Sequence, residues 1–259
     1  MAVEVTGQTE KAVSAGVVYA RATLAFQERA DHASRVLAQA VEQSEGKLVL
    51  ATSLGAEDQV LTDLISRNSL AVPIVTLDTG MLHPETMALW VQTEQHYGIR
   101  ISAFAADPGD VATFVTLHGT DAMRKSVDLR KACCGLRKVE PLERALAGKS
   151  AWITGMRREQ SANRGGIEFF QKDERGRTKV NPLADWTNSD VWHYIKRFQV
   201  PYNSLHDRFY PSIGCAPCTR AVALGEDPRA GRWWWENGSK ECGLHTQDRS
   251  VGGTGHGSS

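Results

Sequence analysis

The sequence predicts an α/β fold: a doubly wound, mostly parallel sheet flanked by helices, followed by a less regular C-terminal segment. Three observations predict it. Short apolar runs of strand length alternate with segments of helical spacing. The runs are apolar nearly throughout, as strands buried on both faces are. The segments that follow three of them, Ser53-Leu54-Gly55-Ala56-Glu57-Asp58, Asp78-Thr79-Gly80 and Gly155-Met156-Arg157-Arg158, carry turn, hydroxyl or cationic residues. In an open parallel sheet, ligands bind beyond the carboxyl ends of the strands, where these segments fall.

Taken in order, residues 22–43 space Ala, Leu and Val as an amphipathic helix. Residues 47–53 (KLVLATS) read as a first strand and 56–66 as a helix. A second strand at 73–77 (PIVTL) leads into a helix over 84–97, opened by a proline suited to a first turn. Strands follow at 99–104 and 151–154 (AWIT). Residues 179–186 read as a looser region, and 188–198 resume helical spacing. From Val200 onward Pro, Gly and Trp dominate. Residues 1–20 are small and polar, and the tail VGGTGHGSS is Gly/Ser-rich. The expected organisation is a flexible 1–20, one α/β domain over 21–237 and a mobile 238–259.

Thirty Lys+Arg balance thirty Asp+Glu in 259 residues, so no global field draws the chain to nucleic acid or anionic membranes. No stretch approaches the ~18–20 consecutive apolar residues of a membrane helix, and the N-terminus does not read as a signal peptide. A cytoplasmic location is the expectation. The sequence leaves self-association into a homo-oligomer open.

Five cysteines demand an explanation: the pairs Cys133-Cys134 and Cys215-Ala-Pro-Cys218, and a solitary Cys242. In a reducing compartment, clustered cysteines hold a metal or do chemistry more often than they form disulfides. C-x-x-C is a typical zinc half-site, which makes structural zinc the rival reading. Adjacent side chains diverge along a helix or strand, so drawing Cys133 and Cys134 onto one ion requires a bent backbone. An iron–sulfur cubane offers separate corners. Cys242 lies between Gly238 and Gly243, which loosen the segment, and His245 is close enough in sequence to favour thiolate, the nucleophilic form.

Thr52, Ser53 and Gly55 suit a strand-to-helix turn that a phosphate can approach, or a plain cap and turn. Arg137-Lys138 follow the vicinal cysteines, Arg157, Arg158 and Arg164 follow the fourth strand, and Arg229 and Arg232 precede Trp233-Trp234-Trp235. In a neutral chain, this grouping suggests an anionic substrate held by guanidinium groups. Three consecutive tryptophans cannot share one face, so at least one is expected in the core.

Together SLGAED (53–58), LDTG (77–80), KACCGLRKVEPL (131–142), ITGMRREQS (153–161), NPLADWTNSDVWHYI (181–195), GCAPCTRAV (214–222), GRWWWEN (231–237) and KECGLH (240–245) resemble the assimilatory adenylyl-sulfate/phosphoadenylyl-sulfate reductases. The resemblance runs from Lys47 to His245. It implies an adenine nucleotide alpha-hydrolase-like fold. With both cysteine pairs present, it implies the [4Fe–4S] branch, which takes adenylyl sulfate, with separate thioredoxin as electron donor. By the same resemblance, Cys133, Cys134, Cys215 and Cys218 ligate the cluster and Cys242 is the nucleophile. Lys138 lies between cluster and sulfate. Arg229, Arg232 and His245 contact phosphate or sulfate, with Arg164 as a further cation. Thr52, Ser53, Gly55 and the Leu77 backbone line the nucleotide pocket. Many relatives carry serine where this chain has Leu54. Two other readings stay open: a cluster-bearing reductase of the 3′-phosphorylated substrate, and a zinc-containing nucleotide-binding or thiolating protein.

Overall fold

The structure is a computed structural model and describes residues 14–160 and 166–236. Among the described residues, five of six strands are parallel. The strands are β1 (Leu48–Thr52), β2 (Ile74–Asp78), β3 (Ile101–Ala105), β4 (Ala151–Ile153), β5 (Phe170–Lys172) and β6 (Thr178–Val180), in the order β3-β2-β1-β4-β6-β5. Only the edge strand β5 runs antiparallel, paired with β6. The strand order reverses direction between β1 and β4, which places the ligand-binding crevice of such sheets at their carboxyl ends.

Strand pleating sorts the core into two faces. Leu48, Leu50, Ile74, Ala151 and Ile153 point into one cluster, whereas Val49, Val75 and Trp152 point into another. The first face is covered by α2 (Phe26–Ser44), α3 (Ala56–Arg67) and α9 (Asn188–Phe198), the second by α8 (Glu140–Ala145) through Leu142, Ala145 and Leu146. Both faces being covered explains why the strands read as continuous apolar runs. α4 (Pro84–Tyr97) begins at its proline and ends at Gly98, whose φ of 64° is the left-handed stop that glycine adopts without strain. A reciprocal capping box, Thr187 with Asp190, opens α9. The buried Asp190 also accepts from Thr23 (2.6 Å) and Arg29 (2.6 Å), which ties the segment ahead of α2 to α9.

Two expectations differ from the fold. Lys179 and Val180, the start of the stretch read as loose, belong to the internal strand β6, parallel to β4. Three residues with a lysine at the centre carry no strand period; Lys179 is nevertheless buried, its ammonium 5.1 Å from the Trp152 ring. Between the third and fourth strands the sequence assigns no element, and the structure has helices there. They are α5 (Pro108–His118), α6 (Ala122–Lys125) and α7 (Val127–Cys134), with α8 after them. α6, α7 and α8 have only 4, 8 and 6 residues, and α5 buries none of its 11. A short preceding helix, α1 (Ala15–Tyr19), packs against α9. Among the described residues, no helix is long and apolar enough to cross a membrane.

Candidate functional site

The β1–α3 turn is drawn together by one carboxylate. Asp58, in the first turn of α3, accepts from the Ser53 amide (2.6 Å) and the Ser53 hydroxyl (2.7 Å). It also accepts from the Gly155 amide in the loop after β4. A Cβ on Gly155 would overlap Asp58 and Glu57, so glycine is what lets the two loops touch. Burial pushes the Asp58 carboxyl up to about 6, against the hydrogen bonds from Ser53. The Thr52 hydroxyl accepts from the Leu54 amide (2.9 Å), and Leu54 is buried in a left-handed conformation, φ 59°. Gly55 sits at the N-cap of α3 with no side-chain cap. Ser53 is exposed and Gly55 half-buried, so the turn has an open side. Leu77 in β2 faces the α8 side, beside Val49 and Trp152.

The arginines after β4 are occupied. Arg157 is buried, bonding Glu57 (2.9 Å), Glu159 (3.0 Å) and the Trp186 carbonyl (3.2 Å). Arg158 donates to the Ile167 carbonyl (2.7 Å) and lies over Phe169. Arg157 thus has carboxylate partners of its own, whereas Arg158 meets a carbonyl and an aromatic face. Arg164, Cys242 and His245 lie outside the described residues.

The four remaining cysteines come together. Cys133, Cys134, Cys215 and Cys218 line one pocket with Arg130, Arg137, Lys138, Arg232, Trp233 and two methionines. Cys133-Cys134 end α7, and the chain passes directly into a π-helical turn, Gly135–Val139. Such wide turns occur at functional sites. This one follows the vicinal pair directly and carries Arg137 and Lys138, both of which line the pocket. Cys215 and Cys218 bracket a 3-10 turn, Ala216–Cys218.

The loop after β2 holds both segments in place. Arg137 donates to the Thr79 carbonyl (2.7 Å), the Cys215 thiol donates to the Thr79 hydroxyl (3.3 Å), and the Ala216 amide donates to the Met81 carbonyl (2.8 Å). The LDTG motif therefore braces the cysteines as well as ending a strand. Trp233 is the buried tryptophan of the three, with Trp234 partly exposed. Its ring lies between the guanidinium groups of Arg130 (4.5 Å) and Arg232 (4.8 Å). Arg232 packs over Gly214, where a Cβ would overlap its guanidinium, and bonds Ser212 (3.2 Å). Arg229 is half-buried one turn earlier.

The chemistry of this pocket fits a thiolate-bound group. Burial pushes Cys218 up to about 11 and Cys133 upward too, and the neighbouring thiols add to both shifts. Four thiolates so enclosed need positive charge, and Lys138 and Arg137 or Arg232 lower these same thiols. Arg137 Nε, Arg232 Nε and Trp233 Nε1 are buried N–H donors with no acceptor among the described residues, all on pocket-lining residues. A sulfur-rich anionic group would supply those acceptors. Among the described residues, no three His, Cys, Asp or Glu side chains are grouped to hold a metal ion. The sequence did not single out Arg130 or Glu236, which lie 106 positions apart.

Residues 47–221 match the phosphoadenosine phosphosulfate reductase domain family. The chain is 55% identical over 203 residues to adenosine 5′-phosphosulfate reductase of Allochromatium vinosum, covering 78% of this chain and 79% of that protein. It is 52% identical to the protein of the same name from Burkholderia cepacia over 81% of this chain and 84% of that one. Among solved structures, phosphoadenylyl-sulfate reductase from Candida auris, in a phosphate complex, superposes with a TM-score of 0.63 at 28% identity, over 76% of this chain and 98% of that one. Candida glabrata FMN adenylyltransferase with ATP shares the fold at 14% identity and a TM-score of 0.54, over 78% of this chain and 67% of that one. This chain therefore belongs to the phosphoadenosine phosphosulfate reductase family, among the members named adenosine 5′-phosphosulfate reductase, and is an oxidoreductase acting on a sulfur group.

Proposed function

We propose that this chain reduces adenylyl sulfate to sulfite and AMP in the cytoplasm, with thioredoxin as electron donor, as a step of assimilatory sulfate reduction. The observation that carries the reading is the convergence of four thiols and the cations Lys138, Arg137 and Arg232 on one pocket beside the carboxyl ends of the strands. Cys133, Cys134, Cys215 and Cys218 would hold a [4Fe–4S] cluster, which when bound supplies a fixed charge and a scaffold for the two cysteine segments.

The Cys242 thiolate attacks the sulfate sulfur. An S–S bond forms, the bond from sulfur to the phosphate-bridging oxygen breaks, and AMP leaves with the electron pair. A thioredoxin thiolate then attacks Cys242 Sγ. Sulfite departs with the electrons of the S–S bond, and the second thioredoxin thiol resolves the mixed disulfide. The electrons come from the two thioredoxin thiols. Nucleophile and sulfate are both anionic, so Lys138, Arg229, Arg232, Arg164 and His245 are assigned to suppress their repulsion and to stabilise the leaving charge. Thr52, Ser53, Gly55 and the Leu77 backbone receive the nucleotide at the open side of the β1–α3 turn. Leu54, buried and left-handed, offers no hydroxyl there.

Cys242→Ser incubated with ³⁵S-labelled adenylyl sulfate tests the nucleophile: no covalent sulfo-protein is expected, and label retained on that variant overturns the assignment. Anaerobically purified protein is expected to be brown, with iron and acid-labile sulfide. Zinc in their place overturns the ligand assignment. Sulfite release with adenylyl sulfate should exceed that with the 3′-phosphorylated nucleotide.

A further inference from the structure

β3 is an edge of the sheet: it pairs with β2 on one side and, among the described residues, with no strand on the other. Backbone N–H and C=O groups alternate sides along a strand. The Pro73 carbonyl accepts from the Leu50 amide, so Pro73 and every second residue after it turn to β1, while Ile74, Thr76 and Asp78 turn to β3. In a parallel ladder those groups bond the residues opposite Val75 and Leu77, which are Ser102 and Phe104. Ile101, Ala103 and Ala105 therefore turn their main-chain groups outward. Two side chains agree with this: Glu94 accepts from the Ile101 amide (2.8 Å), and Arg144 donates to the Ala105 carbonyl. They stand where the groups of a neighbouring strand would stand.

Exposed edge strands are ordinarily blunted by a proline, a charged residue or a bulge. ISAFA has neither proline nor charge, its ladder to β2 is regular, and Ser102, Ala103 and Ala105 are exposed. We propose that β3 is the seam of a two-fold dimer, in which a second copy of this chain adds its β3 antiparallel and continues the sheet across both copies. The outward groups are self-complementary about Ala103. Centred there, a second β3 sets Ile101 against the partner's Ala105. The Ile101 N–H and the Ala105 C=O, each now held by a side chain, then bond each other across the seam, and the released Glu94 and the partner's Arg144 meet at the same end of it. The surrounding charge is complementary too. Arg100, whose side chain is 92% exposed beside Glu94 (3.4 Å), falls opposite the stretch just past β3 that carries the partner's Asp107. Beyond that end lies α5, which buries none of its residues and leaves Leu117 70% exposed.

The test is sedimentation equilibrium of the full chain. Wild type is expected to be dimeric, with the amides of 101–105 exchanging more slowly with deuterium as protein concentration rises. Ala103→Pro removes the central outward N–H, which β2 does not use, and proline is tolerated at such edge positions. This variant is expected to be monomeric, with the far-UV circular dichroism of wild type. Arg100→Glu sets like charges together at both ends of the seam and is expected to raise the dimer Kd about tenfold, an effect that added salt reduces. Should Ala103→Pro fail to fold, Arg100→Glu decides. A chain that stays monomeric at every concentration overturns the proposal, as does an oligomer whose Kd neither variant changes, which would place the interface elsewhere.

Discussion

The Cys215 thiol donates to the Thr79 hydroxyl at 3.3 Å, a contact across 136 positions that joins the end of β2 to the second cysteine pair. The same residue receives Arg137 on its carbonyl. Through Thr79, the carboxyl end of the sheet and the cysteine pocket are one structure. Thr79→Val keeps the shape and removes the hydroxyl. It is expected to release iron to a chelator about tenfold faster than wild type, in line with the effect of outer-shell changes on metal sites, while Thr79→Ser stays near wild type.

Two glycines near the pocket should respond differently to alanine. At Gly214 a methyl meets the Arg232 guanidinium, the mobile end of a long side chain. Gly214→Ala should leave the protein folded and raise KM for adenylyl sulfate about tenfold by displacing that cation, as steady-state kinetics would show. At Gly231 the methyl meets the Arg220 backbone carbonyl, which cannot move aside. Gly231→Ala should lower unfolding stability by about 2–3 kcal/mol in urea titrations.

Asp58 makes stability depend on pH. Its folded-state value of about 6 lies above the ordinary 3.8, so the native protein holds this proton more tightly than the unfolded chain does. The contribution is complete below pH 3.8 and is lost as pH rises through 6. Wild type should lose on the order of 2–3 kcal/mol relative to Asp58→Asn across that window, read from urea midpoints. A difference that is flat with pH would contradict the burial argument.

Arg157 and Arg232 divide the cations by role. Arg157 is matched by Glu57, Glu159 and a carbonyl, whereas Arg232 keeps a buried Nε with no acceptor among the described residues, beside the cysteines. Arg157→Lys should cost about 1–3 kcal/mol of stability and leave KM within about twofold. Arg232→Lys should raise KM about tenfold with little change in Tm.

Most of the sheet was legible because its strands are buried on both faces and its main helices are long enough to show a period: α3, α4 and α9 fall at or within one residue of the expected bounds. β6 was not, since a three-residue strand centred on Lys179 owes its burial to Trp152 and not to local pattern. The cysteine pairs were legible from spacing, and the structure brings all four to line one pocket. The role of Arg157 was not, because only folding brings Glu57 to it across 100 positions.

The sequence by itself determined the strand–helix alternation, the turn chemistry after β1 and β2, and the four-plus-one division of the cysteines, all of which depend on residues near one another along the chain. Only the tertiary structure decided that a π-helical turn carries Arg137 and Lys138 to the pocket wall, that Thr79 braces both cysteine segments and that Arg130 grips Glu236. These contacts join positions 58 to 136 residues apart. Such pairs leave no periodic trace, because packing and the desolvation of charge select them only once the sheet has formed.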